Sequence, residues 1–292
     1  MKDKKEIKAL LKLLDDNDIE VYNEVKTTLF KFGLEIIPEL ERAWEETDNL
    51  KLQERIENII YQIQFENSKK LIKDWINSGA SSLMEGLVYF ARFQYPGLAL
   101  RDIDDKITKI SKDIWLEINN NLTALEKVRI INYFIFDIYK FKRNTHSYYS
   151  PSNYFINQIL EVKRGNALSL GLVYLLVAEK IGLPLFGVNL PGNFLIAYKD
   201  EYRLFDSQNE IDDILFYINP YNKGIVLTKQ DIDYYLKHQR LLLKNEYYKP
   251  CDNIEIMKIM INDLINSYEY LRYEEKVEYL KKFLNILEND IQ

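Results

Sequence analysis

Hydrophobic and polar positions alternate along the first sixty-five residues with helical spacing. Leu10, Leu11, Leu13 and Leu14 form one apolar stripe, and "DDND" (Asp15–Asp18) supplies a turn and an N-cap. Val21, Val25 and Leu29 then recur at i, i+4 and i+8. Gly33 is placed to end that helix and Pro38 suits the first turn of the next. Ile37, Leu40 and Trp44 line a third helix, and Ile56, Ile59, Ile60 and Ile63 a fourth. The spacing therefore predicts four amphipathic helices in stacked pairs over 6–65.

The pattern stays helical from about Ser68 to Asn120. A capping box, Thr123 with Glu126, opens a further helix over 123–141. "RNTHSYYSPSN" (Arg143–Asn153) reads as a polar loop ending in Asn153, the candidate cap of a helix containing Phe155, Ile156, Ile159 and Leu160. Between Leu168 and Val177 no polar face remains, so that helix is expected to be buried all round, and Gly182 closes it. Strands are predicted at 185–190, 194–198, 202–205, 214–218 and 225–228, rich in Phe, Tyr, Val and Ile and separated by turn residues. A buried helix followed by an antiparallel meander is an α+β arrangement. The tail returns to helical steps: Ile254, Met257, Ile261, Leu264, Tyr268 and Leu271, then Val277, Leu280, Leu284 and Leu287 after "RYEE", giving a helical hairpin.

Charge and cysteine usage narrow the class. The 292 residues carry a net charge of −6, and residues 1–66, with ten Lys/Arg against sixteen Asp/Glu, hold all of it. No strongly basic face is implied, which argues against a general nucleic-acid binder. Cys251 stands alone, so no intramolecular disulfide forms and a reducing, cytoplasmic setting is expected. "MKDKKEIKAL" has no signal-peptide core, and no apolar run approaches the length of a membrane span. His146 and His238, distant from each other and from Cys251, offer no metal-ligand spacing, and no cofactor motif is present.

Three stretches carry a resemblance: "EGLVYFARFQYP", "SNYFINQILEVKRGNALSLGLVYLLVAEKIGLPLFGVNLPGNF" and "YINPYNKG". Together, over roughly residues 80–230, they resemble the transglutaminase-like superfamily, and within it the SirB-type branch; residues 1–66 are similar to HEAT-type repeats. The resemblance implies a papain-like core, in which a nucleophile at the N-terminus of a buried central helix packs against an antiparallel sheet carrying a His and an Asp. With the helical steps of the tail, three parts are expected: a HEAT-like segment over 1–66, the transglutaminase-like domain over 67–240 and a C-terminal hairpin over 241–292.

A helix N-terminus stabilises a thiolate, a neighbouring His takes its proton, and an Asp or Asn orients the imidazole. Counting back from Gly182-Leu183-Pro184 puts the cysteine position at Ala167. The family's Pro-Gly-His-Phe reads Pro191-Gly192-Asn193-Phe194 here, and its Asp-Pro-Phe/Tyr reads Asn219-Pro220-Tyr221. A methyl group is no nucleophile, and an amide does not shuttle a proton near pH 7. The resemblance thus implies a non-catalytic protein- or peptide-binding module with no cofactor. Arg164, Asn166, Ser169, Tyr221 and Asn222 are the candidate groups of a polar cleft around the three substituted positions. The plainer reading makes Asn166 the N-cap of the buried helix and Asn222 a turn residue. An alternative function remains open, a hydrolase or acyl-transferase using Ser169 or Cys251, with His146 or His238 as base.

Overall fold

A computed structural model describes residues 4–145, 149–200 and 211–289; His146 and the predicted strand 202–205 lie outside the described residues. The chain divides into two compact units, Met1–Asp74 with Arg92–Gly97, and Trp75–Ala91 with Leu98–Gln292.

The first unit is built from α1 (Lys4–Leu13), α2 (Ile19–Phe30), α3 (Ile37–Glu45) and the greater part of α4 (Leu50–Asn77). Asp18 caps α2, its carboxylate accepting from the Glu20 N–H at 2.8 Å. Leu14, Val25, Leu29, Leu40, Ile56 and Ile59 close one core. Arg55 ties the end of α1 to α4 by donating to the Leu14 and Asp16 carbonyls at 2.6 and 2.7 Å. The division predicted at 66/67 falls inside α4, a continuous helix of 28 residues.

The second unit adds α5 (Leu83–Ala91), α6 (Leu100–Trp115) and α7 (Ala124–Asn132), which runs on as one π-helical stretch over Tyr133–Ile138. The Thr123–Glu126 capping box opens α7 as predicted. Then come β1 (Lys142–Arg143), α8 (Ile156–Val162), β2 (Arg164–Gly165) and α9 (Ala167–Lys180). A four-stranded sheet follows in the order β3 (Leu185–Leu190), β4 (Asn193–Lys199), β5 (Ile214–Asn219) and β6 (Ile225–Leu227), antiparallel throughout. The unit closes with α10 (Lys229–His238), α11 (Asn253–Leu271) and α12 (Glu274–Asn289), so the hairpin predicted over 241–292 belongs to the same compact unit as the sheet.

Asn153 departs from its expected role. It lies in a 3-10 turn over Pro151–Tyr154, and α8 starts after Phe155 with no side-chain cap. The Asn153 side chain instead accepts from the Asn144 amide at 3.0 Å.

Every residue from Leu168 to Ala178 is buried. At roughly 1.5–3 kcal/mol per large apolar side chain, this helix is a main source of the unit's stability. α9 packs on β3 and β4, and the fit turns on two glycines around one ring. A Cβ at Gly171 would meet Phe194 Cδ1 at 2.5 Å, and one at Gly187 would meet Phe194 Cζ at 2.5 Å. Period-2 alternation sends Val188, Leu190, Leu195, Ala197 and Tyr217 into a second core with Ile232 and Leu236 of α10. The sheet is therefore covered by helices on both faces.

Candidate functional site

The first turn of α9 is held by its own side chains. Asn166 is the N-cap and accepts from the Ser169 N–H at 2.9 Å, while the Asn166 N–H donates back to the Ser169 hydroxyl at 3.0 Å. The Ser169 oxygen also lies 2.7 Å from the Asn153 carbonyl and 2.7 Å from the Asn166 side-chain oxygen, so its single proton is committed to that pair. At 0% exposure it is a structural hydroxyl, not a cleft group and not a nucleophile open to substrate. Gly165 lets this happen, since a Cβ there would sit 2.5 Å from the Ser169 Cβ. The next two donors, the Ala167 and Leu168 N–H groups, fall in the part of a helix that has no internal partner.

These two residues open onto a small recess of about 110 Å³, whose other walls come from the β3–β4 turn and from α11. Asn193 lines it beside Ala167, so two of the three positions that the resemblance assigns to a triad do meet. Asn193 turns its side-chain oxygen to the Phe194 N–H at 2.9 Å. The turn carrying it is fixed by Gly192 at φ +73° and by the Tyr235 hydroxyl, which donates to the Pro191 carbonyl at 2.9 Å.

Asp263 of α11 completes the recess. Burial pushes its carboxyl up to about 6, and it has no hydrogen-bond or ion-pair partner among the described residues. Sequence reasoning missed it. The apolar stripe of α11 says which face of that helix is buried, and nothing in the stripe says which polar flank meets the β3–β4 turn.

The remaining candidates lie elsewhere, so the predicted single polar cleft is divided. Asn219 is 6% exposed and caps the 3-10 turn over Pro220–Asn222, its side-chain oxygen accepting from the Asn222 N–H at 3.3 Å. Tyr221 and Asn222 line a separate cleft of about 400 Å³. Arg164 sits in β2 as the register partner of Lys142 in β1. The turn after Asn219 is pinned from below: the Asn132 side chain donates to the Gly224 carbonyl at 2.9 Å, and any Cβ at Gly224 would overlap it. Tyr174 of α9 donates to the same Asn132 at 3.1 Å.

Cys251 belongs to a third cavity, of about 720 Å³, with Phe186, Lys199 and Lys258. Burial pushes its thiol up to about 11, so it is protonated at neutral pH and lacks the thiolate a nucleophile needs. His238 is exposed at the end of α10, its ring 6.3 Å from that of Tyr234. Among the described residues no group of three or more His, Cys, Asp and Glu is placed to hold a metal ion, and no helix is long and apolar enough to cross a membrane.

Comparison with known proteins places this architecture. The chain is 27% identical over 150 residues to a UPF0162 protein of Xylella fastidiosa, covering 51% of this chain and 50% of that protein. It is 24% identical over 188 residues to the UPF0162 protein YchA of Escherichia coli, covering 62% and 65%. A 35% identical match over 157 residues to F-box only protein 21 of Mus musculus covers 53% of this chain and 24% of the mouse protein. The match thus spans about half the length of the Xylella relative. No solved structure matches the chain significantly. The profile described as "Transglutaminase-like superfamily" matches residues 101–262, which take in α7, the α9 core, the whole sheet and the first turns of α11. The chain belongs to the transglutaminase-like superfamily.

Proposed function

We propose that this chain is a non-catalytic member of its superfamily, of the SirB-type branch, that works by binding a protein or peptide segment in the α9 recess. The observation that carries the reading is the meeting of Ala167 and Asn193 in one recess, where a thiol and an imidazole would otherwise face each other. Neither side chain there attacks a carbonyl or relays a proton. What the recess offers instead is recognition: two helix N–H donors on one wall and the Asp263 carboxyl on another. At about 30 Å³ per water-sized share, 110 Å³ admits a single amide or the tip of one side chain. An amide brings an acceptor to the N–H wall and a donor to the carboxylate wall.

In this reading the papain-like core serves as scaffold, and the α11–α12 hairpin adds contact area. The likeness to a stretch of an F-box only protein is in keeping with work done through other proteins. The committed Ser169 hydroxyl and the protonated Cys251 thiol weigh against the alternative of a hydrolase with an unusual nucleophile.

The test has two arms. Purified protein is offered glutamine-donor and peptide substrates, with no turnover expected. Partners captured by wild type are then compared with those of Asn193→Leu and Asn219→Leu variants that remain folded. Loss of capture with Asn193→Leu alone is expected, because Asn219 does not line the recess. Turnover, or unchanged capture by Asn193→Leu, would overturn the reading.

A further inference from the structure

The cleft at the β1 end of the second unit has a chemistry of its own. Nine residues line it; three are Lys142, Arg143 and Lys223, and none is acidic. None of the three has a carboxylate partner among the described residues, and Arg143 lies 5.3 Å from the centre of the Tyr221 ring. The two-stranded parallel pair sharpens the imbalance. Its register sets Lys142 opposite Arg164, a further basic residue on the neighbouring strand.

Apolar walls complete the cleft. Phe136 from the π-helical stretch, Pro220, the Tyr221 ring and Ile225, 57% exposed, enclose about 400 Å³, within the range of small-molecule sites. The frame is fixed before any ligand arrives. Lys223 stands at φ +53°, a left-handed conformation disfavoured for a residue with a Cβ, and its turn is held by the Asn132–Gly224 bond at 2.9 Å.

We propose that this cleft binds a small organic anion in which a phosphate or carboxylate is joined to a flat apolar ring. The anionic group goes to Arg143, Lys142 and Lys223, with Arg143 able to grip two oxygens at once. The ring goes against Tyr221, Phe136 and Ile225. A lone inorganic anion leaves those apolar walls wet, and a neutral ring leaves the three cations unmatched, so the two halves of the ligand are required together. The proposal is independent of the α9 recess, which shares no lining residue with it.

Calorimetric titration of the full chain with phenyl phosphate tests it, with inorganic phosphate and phenol as the two half-ligands. Saturable binding with a Kd of about 1 mM or below is expected, and each half-ligand is expected to bind at least about tenfold more weakly. Arg143→Gln with Lys223→Gln is expected to raise the Kd about tenfold or more, and added salt to weaken binding in wild type. Should Arg143→Gln fold poorly, the exposed Lys223→Gln carries the comparison alone. Absence of saturation, indifference to the charge changes, or equal binding of inorganic phosphate would overturn the proposal. So would tighter binding of a tetraglutamate peptide, which would make the cleft a docking point for an acidic protein segment.

Discussion

Replacing Asp263 by asparagine isolates the one titrating group of the α9 recess. The two side chains have nearly the same shape, and the amide stays neutral at every pH. In the folded chain burial raises the Asp263 carboxyl from 3.8 to about 6, because the charged form loses water and gains no partner. The sign follows. Below about pH 4 the group is protonated in both folded and unfolded states and costs nothing. Above pH 6 it is ionised in both, and the folded state alone bears the penalty, so stability is lost as pH rises through that window. The span from 3.8 to about 6 corresponds to roughly 3 kcal/mol at about 1.36 kcal/mol per pH decade. The group is only partly buried, and screening on its open side reduces the expected effect to about 2 kcal/mol. Urea unfolding of wild type and Asp263→Asn at several pH values between about 4 and 7.5, read through the near-ultraviolet signal of the buried Trp75, measures this directly. The variant is expected to gain about 2 kcal/mol on wild type between the two ends of the range. Comparing the two proteins at each pH removes the other titrating groups. A difference that stays flat, or that grows towards acid, would refute the reasoning, as would a carboxyl-carbon NMR titration placing Asp263 near 4.

Ser169→Ala is expected to destabilise the second unit by about 1–3 kcal/mol, because it removes the hydroxyl's bonds to the Asn166 N–H and the Asn153 carbonyl in a dry interior; an unchanged melting temperature would show that the network carries no weight. Gly171→Ala improves helix propensity by about 1 kcal/mol yet places a Cβ 2.5 Å from the Phe194 ring, so a net loss of about 1–3 kcal/mol is expected in urea unfolding. Cys251 is expected to react slowly with iodoacetamide at neutral pH, with the rate still rising towards pH 11; fast, pH-independent labelling would contradict a buried, protonated thiol.

What the sequence made legible was local. A run with no polar face between Leu168 and Val177 marks a helix that must be buried, and it is. Alternating Phe, Tyr, Val and Ile between turn residues mark β3–β6, and hydroxyl-to-carboxylate spacing marks the Thr123 cap. The misses share a cause. β1 and β2 are two residues each and pair across some twenty intervening positions, so neither has a period to detect. The place of Asn153 before an apolar run suggests a cap, whereas its side chain and carbonyl bond to Asn144 and Ser169. The polar residues expected to converge are split because Asn219 faces its own turn, and its neighbours Tyr221 and Asn222 follow that turn to the β1 side. Asp263 became part of the site through the packing of a distant helix, which no spacing within α11 encodes.

The two amides at positions that the resemblance assigns to a triad differ in what they leave free. Asn219 spends its side-chain oxygen on the Asn222 N–H and is 6% exposed, so it offers little to a ligand. Asn193 stands at the edge of an open recess with its oxygen turned to Phe194, which leaves its NH₂ group as a donor. Asn166 makes a related choice at the head of α9. By capping Ser169 it satisfies the third helical N–H and leaves those of Ala167 and Leu168 facing outward at the positive end of the helix dipole. Three donor groups thus surround a space whose one carboxyl is Asp263. Below pH 6 that carboxyl is itself a donor, and above pH 6 it is the recess's acceptor. Under the proposed function, a ligand that both accepts and donates therefore binds better at pH 7 than at pH 5, in the same range over which the folded state becomes less stable.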